Sequence, residues 1–189
     1  QPGFARTGQA FFGFARHGIV PDMITMGKPM GNGIPISGLA AKEDVLAAFS
    51  DKLPYFNTFG GNPVSIAAAQ AVLKYIKDEN LQEHCKKAGA ALLKALKEVQ
   101  ERHPESVGDV RGAGLFLGFE FVKNDGNKTP DKDMALNVIE MLRDEHILTS
   151  VIGHYGNILK LRPPMVFSEN DIDWFATSLD KCITKLENK

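Results

Sequence analysis

The stretch ITMGKPMGNGIP, residues 24–35, decides the fold, because an apolar run ends there in a glycine-rich turn that carries one lysine, Lys28. Residues 22–26 are short and apolar and include the β-branched Ile24 and Thr25, which favours a buried strand. The glycines and proline that follow are a dense turn signal. A lysine between a strand end and such a turn can face a cleft without backbone crowding.

Lys28 is therefore a candidate nucleophile. A lysine amine attacks a carbonyl only when it is neutral, so a reactive lysine must be desolvated or paired with another cation. Taken alone, a lysine beside glycines is more often an exposed loop residue. The segment is not a Walker loop, because Pro29 stands where a serine or threonine is needed, and the glycines at 112, 114 and 118 have the wrong spacing for a dinucleotide fingerprint.

Outward from this segment, the hydrophobic spacing predicts strands and helices in alternation, which indicates the α/β class. The predicted strands cover residues 22–26, 36–40, 147–152 and 158–161, with a strand–turn–strand unit over 107–122 that bends at Gly112 and Gly114. The predicted helices cover residues 42–49, 65–102 with a break near 78–80, 133–145, and a last helix that follows an N-cap at Ser168.

The composition excludes several function classes. A net charge of -1 without a basic stripe argues against nucleic-acid binding, and the apolar runs are too short to cross a bilayer. The five histidines show no metal-ligand spacing, so no metal is predicted. Cys85 and Cys182 are interpreted as reduced thiols of a cytoplasmic protein, with a disulfide between them as the alternative.

Five stretches in one order resemble the class III pyridoxal-phosphate-dependent aminotransferases. The first stretch surrounds Lys28. Its sequence is similar to that of the branch of the family that contains alanine–glyoxylate aminotransferase 2-like proteins and ethanolamine-phosphate phospho-lyases. The other four are QPGFARTG at residues 1–8, YFNTFGGNP at 55–63, VRGAGLFLG at 110–118 and LKLRPP at 159–164.

This resemblance implies the cofactor pyridoxal 5′-phosphate and four site residues. Lys28 matches the lysine that binds the cofactor covalently and then moves the proton of the substrate. Gln1 matches the glutamine near the ring hydroxyl oxygen of the cofactor, and Thr58 matches a threonine that binds its phosphate from the partner subunit of a homodimer. Arg162 matches the arginine that receives the substrate carboxylate in a bidentate geometry.

The resemblance also implies the architecture of fold type I of these transferases. Residues 1–75 are expected to form the C-terminal part of the cofactor-binding large domain, whose sheet is mostly parallel. Residues 76–189 are expected to form the linking helix and the small C-terminal α/β domain. The first residues read like an interior loop, so we expect a fragment of a longer enzyme that is inactive in isolation, because much of the implied cofactor pocket precedes Gln1.

Two activities are consistent with the resemblance. The favoured one is transfer of an amino group from an amine or ω-amino acid to a 2-oxo acid, because it is the commoner activity of the family. The alternative is a phospho-lyase acting on a phosphorylated amino alcohol or hydroxylysine. A second alternative, from a different class, is an inactive folded module.

Overall fold

The computed structural model describes residues 3–188 of the 189-residue chain, and Gln1 lies outside the described residues. The chain forms two compact units. The first consists of Ala10–Gln82 and the residues up to Ala5, and the second consists of Arg6–Gln9 and everything from Glu83 onward. The assignment of residues 1–75 and 76–189 to a large and a small domain stays a prediction.

The first unit contains one β-hairpin and two helices. Strands β1 (Met23–Gly27) and β2 (Ser37–Ala41) pair antiparallel, and they are followed by helices α1 (Glu43–Ser50) and α2 (Pro63–Asp78). Helix α2 begins two residues earlier than predicted, because Pro63 suits the first helical position and the Asn62 side chain caps the helix.

The second unit is a four-stranded antiparallel sheet with three helices. Helix α3 (Leu81–Arg102) leads into β3 (Val107–Ala113) and β4 (Phe116–Phe121), followed by α4 (Lys132–Asp144), β5 (Val151–Ile152), β6 (Ile158–Leu161) and α5 (Glu169–Glu187). The strand order is β3-β4-β6-β5. Alternate residues of β4 and β6 are buried, so one face of the sheet packs against the helices.

The core of this second unit joins all of its layers. Its fully buried side chains come from α3, from the sheet and from the two later helices: Leu92, Leu96, Val99, Phe119, Phe121, Val138, Leu142, Leu159, Leu179 and Ile183. The predicted last helix is confirmed as α5, and its N-cap Ser168 forms a capping box with Asp171. The mixture of helix and sheet agrees with the predicted fold class.

Two helix ends depend on single left-handed residues. The predicted break in the long helix is confirmed, because Asn80 has a φ of 48° between α2 and α3. His146 has a φ of 63°, and the Ile147 amide donates a hydrogen bond to the Leu142 carbonyl. Ile147 therefore still belongs to the end of α4. The strand predicted over 147–152 is therefore reduced to its last two residues.

One further prediction needs correction. Gly112 lies inside β3 opposite Leu117, and the turn between β3 and β4 consists of Gly114 and Leu115. Both sheets of the described residues are antiparallel, and the mostly parallel sheet implied for the large domain of the whole enzyme stays a prediction. Within the same range, no helix has the length and apolar character that a membrane span requires.

Candidate active site

Lys28 stands where β1 ends and the backbone changes direction. Its φ of 45° lies in the left-handed region, which is uncommon for a residue with a Cβ atom. A short 3₁₀ turn, Lys28–Met30, follows and is closed by a hydrogen bond of 3.2 Å from the Gly31 amide to the Lys28 carbonyl. Backbone strain of this kind is often found at functional sites, and here it turns the lysine out of the strand.

The Lys28 side chain lines an open cleft of about 900 Å³ within the first unit. This volume is in the range of small-molecule sites, about 300–1,000 Å³. Three segments form the walls: the connection between β1 and β2, the loop before α2, and the first turn of α2. The lining residues are Lys28, Pro29, Asn32, Gly33, Ile34, Pro35, Ile36, Ser37, Asn57, Phe59, Gly60, Gly61, Asn62, Ser65 and Ile66.

Two asparagines hold the loop before α2 in shape. The Asn57 Oδ1 atom accepts hydrogen bonds from the amides of Phe59 (3.1 Å) and Gly60 (2.9 Å). The Asn62 side chain accepts from the Ser65 amide at 2.9 Å and donates to the Phe59 carbonyl at 3.0 Å. These local contacts between side chains and backbone order the loop before α2.

The first turn of α2 also contributes to the cleft. The Ser65 hydroxyl donates to the Pro35 carbonyl at 3.3 Å, which ties the helix start to the segment after Lys28. The N-terminus of a 16-residue helix carries a partial positive charge and suits an anion such as a phosphate. A primary amine and a helix N-terminus therefore belong to one cleft.

Thr58 is exposed in the loop between Asn57 and Phe59. Its two neighbours line the cleft, but Thr58 itself is not among the described lining residues. The structure thus brings Lys28 together with the loop that carries Thr58 and not with the Thr58 side chain. The roles predicted for Lys28 and Thr58 stay predictions, as does the role of Gln1.

Arg162 belongs to the second unit and directly follows β6. The register of β4 and β6 pairs Leu117 with Leu161, so the next two positions, Phe116 and Arg162, stand opposite each other at the end of the ladder. The guanidinium carbon of Arg162 lies 4.3 Å from the centre of the Phe116 ring, a cation–π contact. Burial lowers the pKa of Arg162, which still remains a cation at neutral pH.

Sequence reasoning missed two residues of this arrangement. Phe116 was part of a quoted motif but had no assigned role, and the same is true of Arg6, whose Nη1 atom donates to the carbonyls of Leu115 and Pro163 at 3.1 and 2.6 Å. The strand register could have suggested Phe116. No pattern in the sequence points from Arg6 to Pro163.

Comparison with known proteins gives one family. The model of the family "Aminotransferase class-III" matches residues 1–183. Among curated proteins, the chain is 43% identical over 187 residues to "Ethanolamine-phosphate phospho-lyase homolog 1" of Caenorhabditis elegans, which covers 97% of this chain and 40% of that protein. It is 39% identical to "Alanine--glyoxylate aminotransferase 2 homolog 2, mitochondrial" of Arabidopsis thaliana, over 98% of this chain and 38% of that protein.

Solved structures give the same picture. A phospholyase from Arthrobacter in complex with phosphoethanolamine matches with a TM-score of 0.93 and 38% identity, over 97% of this chain and 43% of that chain. A transaminase from the marine bacterium Virgibacillus matches with a TM-score of 0.89 and 30% identity, over 99% of this chain and 44% of that one. The chain thus spans about two fifths of the length of the proteins that it matches.

Proposed function

Because the chain belongs to the class-III aminotransferase family, we propose that the whole protein transfers an amino group from an amine or ω-amino acid to a 2-oxo acid. The family implies pyridoxal 5′-phosphate as the cofactor. The observation that carries the proposal is the cleft of the first unit, in which Lys28, the hydrogen-bonded loop before α2 and the start of α2 come together.

The residues of this cleft fit the cofactor. An aldehyde needs a primary amine, which Lys28 supplies, and the partial positive charge at the start of α2 favours a phosphate in the same cleft. When bound, pyridoxal phosphate supplies an electron sink for a carbanion. The Lys28 Nζ atom would hold the cofactor, and the same amine would accept a proton from the substrate carbon and return it.

Arg162 holds the substrate in this proposal. A guanidinium can donate two parallel hydrogen bonds to a carboxylate, and the Phe116 ring restricts the orientations that the guanidinium can adopt. Partial burial removes water from the Arg162 side chain, which strengthens its attraction for an anion.

A homodimer is part of the proposal. The loop before α2 exposes 73% of Tyr55, 85% of Phe56 and 82% of Phe59, and exposed apolar patches of this kind often lie in protein interfaces. A second copy would cover these side chains, remove water from around Lys28 and supply the Thr58 hydroxyl. The expected cytoplasmic location is also a proposal, supported by the two buried and free thiols of Cys85 and Cys182.

The test is an absorbance spectrum of the protein with pyridoxal phosphate, before and after borohydride reduction. The reduced adduct should form with the native protein and be absent from Lys28→Ala. Lys42→Ala is the matched control, because Lys42 is an exposed lysine of the same unit, paired with Asp22. An adduct of equal yield in both variants would contradict the assignment of Lys28.

A phospho-lyase is the second candidate, supported by the 43% identity to the Caenorhabditis elegans protein and by the TM-score of 0.93 to the Arthrobacter phospholyase. In that reaction Arg162 would meet a phosphate instead of a carboxylate. Release of inorganic phosphate from phosphoethanolamine without a 2-oxo acid would favour this candidate. Amino transfer to a 2-oxo acid without phosphate release would favour the aminotransferase, and neither reaction would favour the inactive folded module.

A further inference from the structure

Residues 6–9 are packed tightly into the second unit. Thr7 is only 3% exposed, and the Leu115 amide donates to the Arg6 carbonyl at 3.0 Å. A Cβ atom on Gly8 would lie 2.6 Å from the Cα atom of Lys86 in α3, and one on Gly114 would lie 2.4 Å from the Arg6 carbonyl oxygen. Because no Cβ atom would fit at Gly8 or Gly114, the backbone packs closely at both positions. This close packing fixes the backbone from which the Arg6 side chain projects.

The Arg6 side chain reaches the end of the β4–β6 ladder. The last pair of this ladder is Leu117–Leu161. Beyond it, the backbone of β4 continues to Phe116 and Leu115, and the backbone after β6 continues to Arg162 and Pro163. Pro163 has no amide hydrogen, so it cannot donate a further hydrogen bond of the ladder, although its carbonyl can still accept one. The Nη1 atom of Arg6 donates to the carbonyls of Leu115 and Pro163 instead.

Each of these carbonyls is one residue away from a partner in the cation–π pair. Leu115 precedes Phe116, and Pro163 follows Arg162. One guanidinium nitrogen of Arg6 therefore connects the backbone segment that carries the ring to the segment that carries Arg162. Charge-assisted hydrogen bonds of this type are stronger than neutral ones and directional. These hydrogen bonds limit how far the two backbone segments can move apart.

The position is electrostatically demanding. Burial lowers the pKa of Arg6, the Cys85 thiol acts in the opposite sense, and the positive charge of Arg162 lowers it further. Burial raises the pKa of Cys85 to about 11, so at neutral pH this thiol carries no charge that could offset the two guanidinium groups. The positive charge of Arg6 adds to that of Arg162, which strengthens the field that an anion at Arg162 would meet.

We propose that Arg6 is a positioning residue that holds the Arg162 guanidinium over Phe116 for binding of the substrate carboxylate. The proposal rests on the carboxylate-binding role proposed above for Arg162. A brace that contributes only to stability would make the same hydrogen bonds, so the test needs a measurement that stability alone does not change.

The test uses the cofactor-loaded protein expressed from its complete coding sequence. Propionate serves as an inert carboxylate probe, and its dissociation constant is measured by titration calorimetry below the melting temperature of every variant. Arg6→Met should raise the dissociation constant about tenfold, as expected for the loss of a charge-assisted hydrogen bond. Arg6→Lys should recover part of the affinity, and the absorbance spectrum of the bound cofactor should not change.

Steady-state kinetics give a second measurement. Arg6→Met should raise the KM of the 2-oxo acid by a similar factor and leave kcat nearly unchanged. Arg102→Met is the matched control, because Arg102 is an arginine of the same unit whose Nε atom donates to Asp180 at 2.7 Å. It should change neither the KM nor the affinity for propionate. If Arg6→Met does not fold, Arg6→Lys and Arg6→Gln replace it in both measurements.

The outcomes separate this proposal from the one on which it rests. An unchanged propionate affinity in the Arg6 variants, together with a weakened affinity in Arg162→Met, overturns the role of Arg6 alone. An unchanged affinity in Arg162→Met overturns the role of Arg162 and the role of Arg6 with it. A full Arg6→Met effect in the Arg162→Met background also overturns the proposal, since coupled residues must be non-additive.

Discussion

The two units of the chain treat their apolar side chains in opposite ways. In the second unit, Phe119 and Phe121 are completely buried and pack edge to face within one continuous core. In the first unit, Phe56 and Phe59 are almost fully exposed beside the cleft. The second unit therefore buries most of its large apolar side chains internally, while the first leaves surface that a second protein surface could cover.

One polar contact from each unit differs in the same way. In the second unit the buried His103 ring contacts Glu187 at 2.7 Å and Asp180 at 3.1 Å, both on α5. In the first unit the Lys42–Asp22 ion pair is open to solvent. The difference indicates that the buried apolar contacts of this chain are concentrated in the unit that carries Arg162, whereas the Lys28 cleft is ordered mainly by local hydrogen bonds.

The largest effect should come from an aromatic pair, one residue in each unit. Phe119→Ala should lower the free energy of unfolding by about 3–5 kcal/mol, because it leaves a cavity in the core. Phe56→Ala should change it by less than about 0.5 kcal/mol. The check is urea unfolding followed by the fluorescence of Trp174, the single tryptophan, which lies in α5. Equal effects would show that the first unit buries its aromatic side chains.

The next comparison replaces one glycine in each unit. A Cβ atom on Gly89 of α3 would stand 2.3 Å from the Gly114 carbonyl group, so Gly89→Ala should destabilise by up to about 3 kcal/mol although alanine favours helices. Gly61 has a φ of +71° and open space around it, so Gly61→Ala should show only backbone strain of about 1 kcal/mol. If thermal unfolding shows that Gly89→Ala is more stable than the native protein, the close packing between Gly89 and Gly114 is contradicted.

The polar contrast can be tested with one residue in each unit. His103→Leu should destabilise by about 2 kcal/mol, because Glu187 and Asp180 lose a hydrogen-bond partner at a buried position. Lys42→Met removes an exposed ion pair, and its effect should stay below about 0.5 kcal/mol. Denaturant unfolding of both variants measures the difference. A neutral His103→Leu variant would mean that the His103 contacts do not stabilise the second unit.

The smallest effect concerns one helix cap in each unit. Ser168→Ala and Asn62→Ala should each destabilise by about 1 kcal/mol. Hydrogen bonds from Ser168 lower the pKa of Asp171 below its usual 3.8, so this stabilisation is present above that pH and is lost as the pH falls through the folded-state pKa. The Ser168→Ala difference should therefore shrink in acid, measured by unfolding at pH 3 and pH 6, and a difference independent of pH would contradict the capping box.

Local chemistry explains what could be predicted. The strand before Lys28, the N-cap at Ser168 and the break near residue 80 each depend on neighbours a few positions apart, so spacing and turn residues suffice. The strand predicted over 147–152 was wrong in its first part because the left-handed His146 and the Ile147 amide extend the end of α4.

The candidate site also combines features that local sequence predicts with features that depend on long-range contacts. The sequence by itself determined that Lys28 follows a strand and precedes a glycine-rich turn, and its motifs determined the family. Only the tertiary structure decided that the loop before α2 faces Lys28 across one cleft, and that Arg6 connects Leu115 to Pro163, 109 and 157 positions away along the chain. Helix and strand patterns record the period of one element, whereas such contacts depend on strand register and on where the ladder ends.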